Sequence, residues 1–216
     1  MCGRFTQTFD ETIFDYFPVS NHSELAIQAT FNAAPSQAVL AVAGKEGQYK
    51  AGQLHWGLVP FWSKSKKGTG IINARAETVA EKPSFRHLIG SKRCLILADS
   101  FYEWERTDKG KVPFRFMLQS EQPFAFAGLW DRWQANGKEL ITCTIITTEA
   151  NQLVREVHDR MPVMLDASAA YHWLDDAPDE ALGRLLPYDS EKMMKYEVTA
   201  KVNSPAYNEA ECTQPV

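Results

Sequence analysis

Between Arg93 and Thr147 the chain alternates short apolar runs with turn signals, and this stretch limits the fold more than any other. Residues 93–98 (RCLILA) are apolar almost throughout, as a strand buried on both faces would be. Residues 112–118, 124–133 and 140–147 read as successive strands. They are separated by turns at 107–111 (TDKGK), 121–123 and Asn136-Gly137, the last being the strongest two-residue hairpin signal in the chain. Upstream, 39–43 reads as a strand that the glycines at 44 and 47 reverse into a second, after a turn over 31–36. Helices punctuate the pattern. The spacing of Ile13, Phe14 and Phe17 predicts a short amphipathic helix over 10–17, and 82–90 predicts another with Phe85 and Leu88 inward. Capping-type residues at 147–151 predict a helix start, two further helices follow at 167–175 and 178–186, and a last strand lies around 196–202. Strands and helices in this mixture give an α+β chain, expected as one domain over residues 1–216, with no internal repeat or linker.

Composition narrows the class. Of 216 residues, 44% are hydrophobic and 23% charged, ordinary for a soluble globular protein, and no apolar run approaches membrane-spanning length. The N-terminus has neither a basic n-region nor an apolar h-region, so a cytoplasmic protein is expected. Cys2, Cys94, Cys143 and Cys212 are scattered, without CxxC or a close Cys/His pair, so neither zinc nor disulfides are expected. A net charge of −4 excludes a uniformly basic nucleic-acid binder and confines any such contact to a local groove.

Cys2 is the residue with unusual chemistry on offer. Initiator methionine is trimmed before small side chains, and a freed Cys2 carries a thiol and an α-amine on adjacent carbons, two nucleophiles for one electrophilic carbon. The α-amine, with an ordinary pKa of about 7.7–8.0, is unprotonated at neutral pH to an extent no lysine matches. The thiol, near 8.5, is also within reach of activation. The opposing structural reading is a small buried hydrophobe at a chain end.

Four further stretches hold polar groups in suggestive settings. His55 to Trp62 (HWGLVPFW) groups Trp56, Phe61 and Trp62 around Gly57 and Pro60 and runs into Lys64, Lys66 and Lys67. Aromatics beside lysines suit a single strand, because bases stack on rings while ammonium groups follow phosphates; a tryptophan-rich core edge gives the same pattern. Residues 71–78 (IINARAET) resemble a strand end opening onto a site. In FYEW, Glu103 lies between Tyr102 and Trp104; facing inward it would be a carboxylate with a raised pKa fit for acid or base work, and facing outward it would be solvated. His158, in HDRMPV, titrates near neutrality and can move protons, although lone histidines are commonly structural.

In this order, MCGRF, WGLVPFW, INARAET, FYEW and HDRMPV closely resemble the SRAP family, the SOS response-associated peptidases, over nearly the whole chain. The resemblance implies a curved, barrel-like, mostly antiparallel β core flanked by short helices, with a positively lined groove. It also implies single-stranded DNA containing abasic sites as partner, and no cofactor or metal. Cys2 would be the nucleophile that crosslinks covalently to the lesion in the DNA damage response, with Asn73, Glu103 and His158 completing the catalytic set. Arg4, Arg75 and Arg160 would clamp phosphates, Phe61 and Trp62 would form a wedge or stacking platform, and Gly3, Asn32, Pro35 and Thr147 would lie alongside. Release of Met1 by autoproteolysis and a weak lyase side activity follow from the same implied geometry, as does location in the cytoplasm or at the nucleoid during damage.

Two other readings share some of these residues. Met-Cys-Gly also opens glutamine amidotransferases, N-terminal-nucleophile hydrolases in which Cys2 would attack an amide; their remaining motifs are missing here. A non-catalytic single-strand-binding module would leave Cys2 incidental.

Overall fold

The structure is a computed structural model that describes residues 2–65, 68–108, 110–135 and 137–216. In chain order the elements are β1 (Arg4–Gln7), α1 (Ile13–Tyr16), β2 (Thr30–Ala33), β3 (Ala38–Lys45), β4 (Gln48–Trp56), β5 (Asn73–Arg75) and β6 (Arg93–Ala98). Then come β7 (Ser100–Thr107), β8 (Gly110–Leu118), β9 (Phe124–Ala135), β10 (Lys138–Glu149), α2 (Gln152–Arg155), β11 (Arg160–Pro162) and β12 (Met164–Leu165). The helices α3 (Ala167–Asp175) and α4 (Pro178–Gly183) precede β13 (Met193–Glu197).

Five of these strands close on themselves. β4 pairs with β3, β3 with β6, β6 with β9, β9 with β10, and β10 returns to β4. Every junction is antiparallel except the last, where Thr142 and Cys143 run parallel to His55 and Trp56. β5, β11 and β12 extend this barrel, and a second sheet in the order β13-β8-β7-β1-β2 packs against it. The result is the α+β, barrel-like, mostly antiparallel core that the resemblance implies. At the β3–β4 hairpin Glu46 and Gly47 both take positive φ (54° and 80°), the two-residue geometry whose twist matches that of paired strands.

Alternating side chains of the barrel feed two hydrophobic cores. Val39, Ala41, Ile96 and Phe126 meet Phe5, Phe101 and Phe116 of the second sheet. Leu40, Val42, Leu95 and Leu97 face the other way, against α1, α3 and α4. With both faces covered, β6 is buried at all six positions, as its unbroken apolar run predicts. Burying each large apolar side chain contributes roughly 1.5–3 kcal/mol, so the two cores supply the main driving force.

Several local expectations change. Residues 82–90 form consecutive turns without a regular helix. Phe85 and Leu88 are nevertheless buried, and their N–H groups bond three residues back, to the carbonyls of Lys82 and Phe85, instead of continuing an α-helical ladder. Residues 147–149 belong to β10, and Asn151 is the true cap, accepting the Val154 N–H at 2.9 Å. Phe31 to Ala33 is strand, because β1 offers it a partner. Lys66, Lys67, Lys109 and Asn136 lie outside the described residues; Ala135 and Lys138 pair across the predicted Asn136-Gly137 turn.

Candidate active site

Four segments distant in sequence converge beside the start of β1. β1 lies between β2 and β7, with Arg4 opposite Tyr102, so the next residue of β7, Glu103, lies level with the stretch leading into β1. The Cys2 thiol is buried and lies 3.9 Å from the Arg4 carbonyl. β5 pairs in parallel with β10, placing Asn73 opposite Ile145 and its Nδ2 donating to the Cys2 carbonyl at 2.8 Å. β11 pairs antiparallel with β10, returning residues 158–160 to the same end of the barrel. His158 closes α2, its N–H donating to the Val154 carbonyl at 2.8 Å.

Electrostatics divide these groups by role. Glu103 is only 3% exposed, and burial raises its pKa from 4.5 to about 7, with the nearby Asp159 charge pushing the same way. Burial, and after it the Glu103 charge, raises the Cys2 thiol well above its ordinary value, so the sulfur is held protonated at neutral pH. Burial lowers the His158 pKa. Its Nδ1 meets two neighbours at once: the Arg160 N–H at 3.0 Å, which suits an acceptor there with the neutral ring's hydrogen on Nε2, and the Asp159 carboxylate at 2.8 Å, which suits a protonated Nδ1. Asn73 Oδ1 is buried and has no hydrogen-bond partner among the described residues.

The structure gives the remaining sequence-predicted residues different surroundings. Arg4 reaches across to the end of the chain, with Nη1 donating to Asn32 Oδ1 (2.9 Å) and the Val202 carbonyl (2.6 Å) and Nη2 to the Asn203 carbonyl (3.2 Å). Asn32 is buried, and its Nδ2 donates to the carbonyls of Val202, Ser204 and Tyr207. Arg160 forms a two-point pair with Glu77, 2.9 Å from Nη2 to Oε2, and also donates to the Thr147 carbonyl at 2.7 Å; Thr147 itself is buried. Arg75, at the end of β5, is exposed, and Pro35 is half-buried. Of the aromatic group, Trp56 is core, against Phe5 at 5.0 Å, while Phe61 and Trp62 stand 55% and 54% exposed.

Trp104 was not among the sequence-predicted site residues. It lines both a groove of about 420 Å³ along Gly3, Arg4, Lys111 and Asn203 and one of about 480 Å³ along Glu105, Arg106, Glu156, His158 and Asp159. Asp159 was missed as well, although its place between His158 and Arg160 is the signal. Among the described residues no cluster suits a metal ion, and no helix is long and apolar enough to cross a membrane.

Comparison with known proteins follows the same lines. The chain is 48% identical to the abasic site processing protein YoaM of Bacillus subtilis, over 98% of this chain and 96% of that one. With chicken HMCES, also named an abasic site processing protein, it shares 34% identity over 76% of this chain and 56% of that protein. A crystal structure of a Bacteroides thetaiotaomicron protein superposes over all of both chains with a TM-score of 0.86 at 27% identity. Residues 1–205 match the family described as SOS response associated peptidase (SRAP), and the chain belongs to that family.

Proposed function

We propose that this protein processes abasic sites in single-stranded DNA by forming a thiazolidine between a mature N-terminal Cys2 and the aldehyde of the opened deoxyribose. The observation that carries the reading is a buried carboxylate with a pKa of about 7 whose charge acts on a buried N-terminal thiol, with the Asn73 amide on the Cys2 carbonyl. The relatives named abasic site processing proteins support the same substrate.

The protonation states order the steps. With the thiol held protonated, the α-amine exposed by loss of Met1 is the first nucleophile. Its nitrogen bonds to the aldehyde carbon, and the oxygen takes protons, one from the Glu103 carboxyl, and leaves as water, giving a Schiff base. Sulfur then adds to the same carbon while its proton passes through the Glu103 carboxylate to the nitrogen. The five-membered ring closes with one water lost overall. Neutral His158 donates from Nε2 to the sugar oxygens as the ring opens, and Asn73 Oδ1, a buried acceptor, takes a hydrogen bond from the sugar or the amine. Arg75 is the direct phosphate contact. Arg4 and Arg160 serve through the segments they hold, which bring Asn32, Thr147 and the Gly3 groove into line, and Pro35 borders the strand. Cleavage of the Met1–Cys2 bond by the same groups is the peptidase reaction of this reading. A slow β-elimination accompanies the Schiff base, whose positive nitrogen acidifies the neighbouring carbon.

The test is a denaturing gel of Met1-trimmed protein with a single-stranded oligonucleotide carrying one abasic site. A heat-stable shifted band is expected, absent with an undamaged strand; Cys2→Ala should give a band only when borohydride reduces its Schiff base. No band from protein whose trimming mass spectrometry verifies would overturn the covalent reading.

A further inference from the structure

Two exposed aromatic rings and one buried carboxylate meet in the loop that follows β4. Phe61 and Trp62 project into solvent, while Asp131, on β9 beneath them, is 0% exposed. Asp131 Oδ2 accepts the Phe61 N–H at 2.8 Å and lies 3.7 Å from His87 Nε2; Oδ1 accepts from Lys92 Nζ at 2.6 Å and from the Arg132 N–H at 2.9 Å. The His87 ring meets the Phe61 ring edge-on, centroids 5.3 Å apart. Two more bonds pin the loop at alternate residues. The Val59 N–H donates to Thr142 Oγ1 at 3.0 Å, and Trp133 Nε1 donates to the Ser63 carbonyl at 2.8 Å.

An apolar residue would fill the space of Asp131 without the desolvation cost of a buried ion. What the carboxylate adds is direction, since it grips the amide of the residue whose ring is exposed and ties it to Lys92 and His87. We propose that Asp131 is a positioning residue that holds the Phe61–Trp62 ledge at the angle at which an incoming base stacks on it. The inference rests on the DNA reading of the site and deepens it. The ledge contributes strand affinity and Cys2 contributes chemistry, and Asp131 acts on the first alone.

The test separates those contributions. Asp131→Asn keeps the shape and loses the charge, and its effect is read as the oligonucleotide concentration giving half the limiting crosslinking rate. That concentration should rise about tenfold, the scale of one poorly seated base. The limiting rate, and the capture of glyoxylate by the N-terminal Cys2, should stay within about twofold of wild type, a split that general loosening of the fold does not produce. Unchanged half-saturation overturns the inference, and so does an equal loss in all three readouts. Should Asp131→Asn fail to fold, Lys92→Met at the half-exposed end of the ion pair carries the same test with the same criteria. If wild-type protein forms no crosslink, the covalent reading fails by itself. Affinity for an undamaged labelled strand then decides this inference, weaker binding by Asp131→Asn upholding it and equal binding overturning it.

Discussion

Glu103 gains its raised pKa from a position that costs stability. Its folded pKa of about 7 lies above the ordinary 4.5, so between those values the folded chain holds a proton that the unfolded chain has lost. Stability therefore falls as pH rises through that window, and above it an ionised carboxylate stays buried at a cost of ~3 kcal/mol. Glu103→Gln should be more stable than wild type at pH 8, with a melting temperature higher by roughly 6–12 °C, and equal to it at pH 4. Thermal melts across pH check this, and a gap independent of pH would refute it. The same variant should crosslink about a hundredfold more slowly. The alternation in FYEW left the direction of Glu103 open because β7 has no solvated face there: Phe101, Tyr102 and Glu103 are all buried, between β1 and β8. Asp131 was within reach of the sequence. It shares a face with Leu129 and Trp133, an acidic residue in an apolar row. The duties of Arg4 and Asn32 were not, since the carbonyls they bond lie 170 residues or more away along the chain.

At the scale of elements, the connection from β4 to β5 depends on two glycines packed against each other, Gly57 and Gly70, of which Gly57 is the tighter. Gly57 has φ +136°, and a Cβ there would sit 1.7 Å from the Thr69 carbonyl oxygen. The Leu58–Ile71 bridge that follows, bonded both ways at 3.0 and 2.9 Å, leads directly to Asn73. Gly57→Ala should cost at least ~3 kcal/mol, read as a fall in the urea midpoint. Asn73 should move from the Cys2 carbonyl with it, so capture of a small aldehyde should slow even in the fraction that stays folded. Elements with one dominant period were legible. The burial of Ile13 and Phe14 on α1 and of Phe17 just past its end, the whole of β6, and α3 at 167–175 follow their expected patterns. Residues 82–90 and 147–151 were misread because local helix signals there yield to three-residue turns in one case and to pairing with distant β5 and β11 in the other.

For the whole molecule, the closed barrel separates the helix-covered core from the proposed site. Trp173 of α3 is fully buried on the helix-covered core, and its Nε1 donates to the Cys94 carbonyl at 3.1 Å and that of Gly128 at 3.3 Å. Trp173→Ala should lower stability by about 3–5 kcal/mol, measured by denaturant unfolding, and leave crosslinking per folded molecule unchanged. A matching loss of activity would mean that the two cores are coupled. Strand content was readable from turns and apolar runs, but closure was legible only through the family resemblance, which implied a barrel-like core. Closure depends on a parallel contact between β4 and β10, and parallel partners leave no local mark. The bonds from Arg4 to residues 202 and 203 have a consequence in time. β1 is made well before its partner, and the carbonyl that Arg4 grips follows 198 residues later. Until residues 202–203 dock, Arg4 lacks both of its carbonyl partners, so the start of β1 beside Cys2 is fixed late.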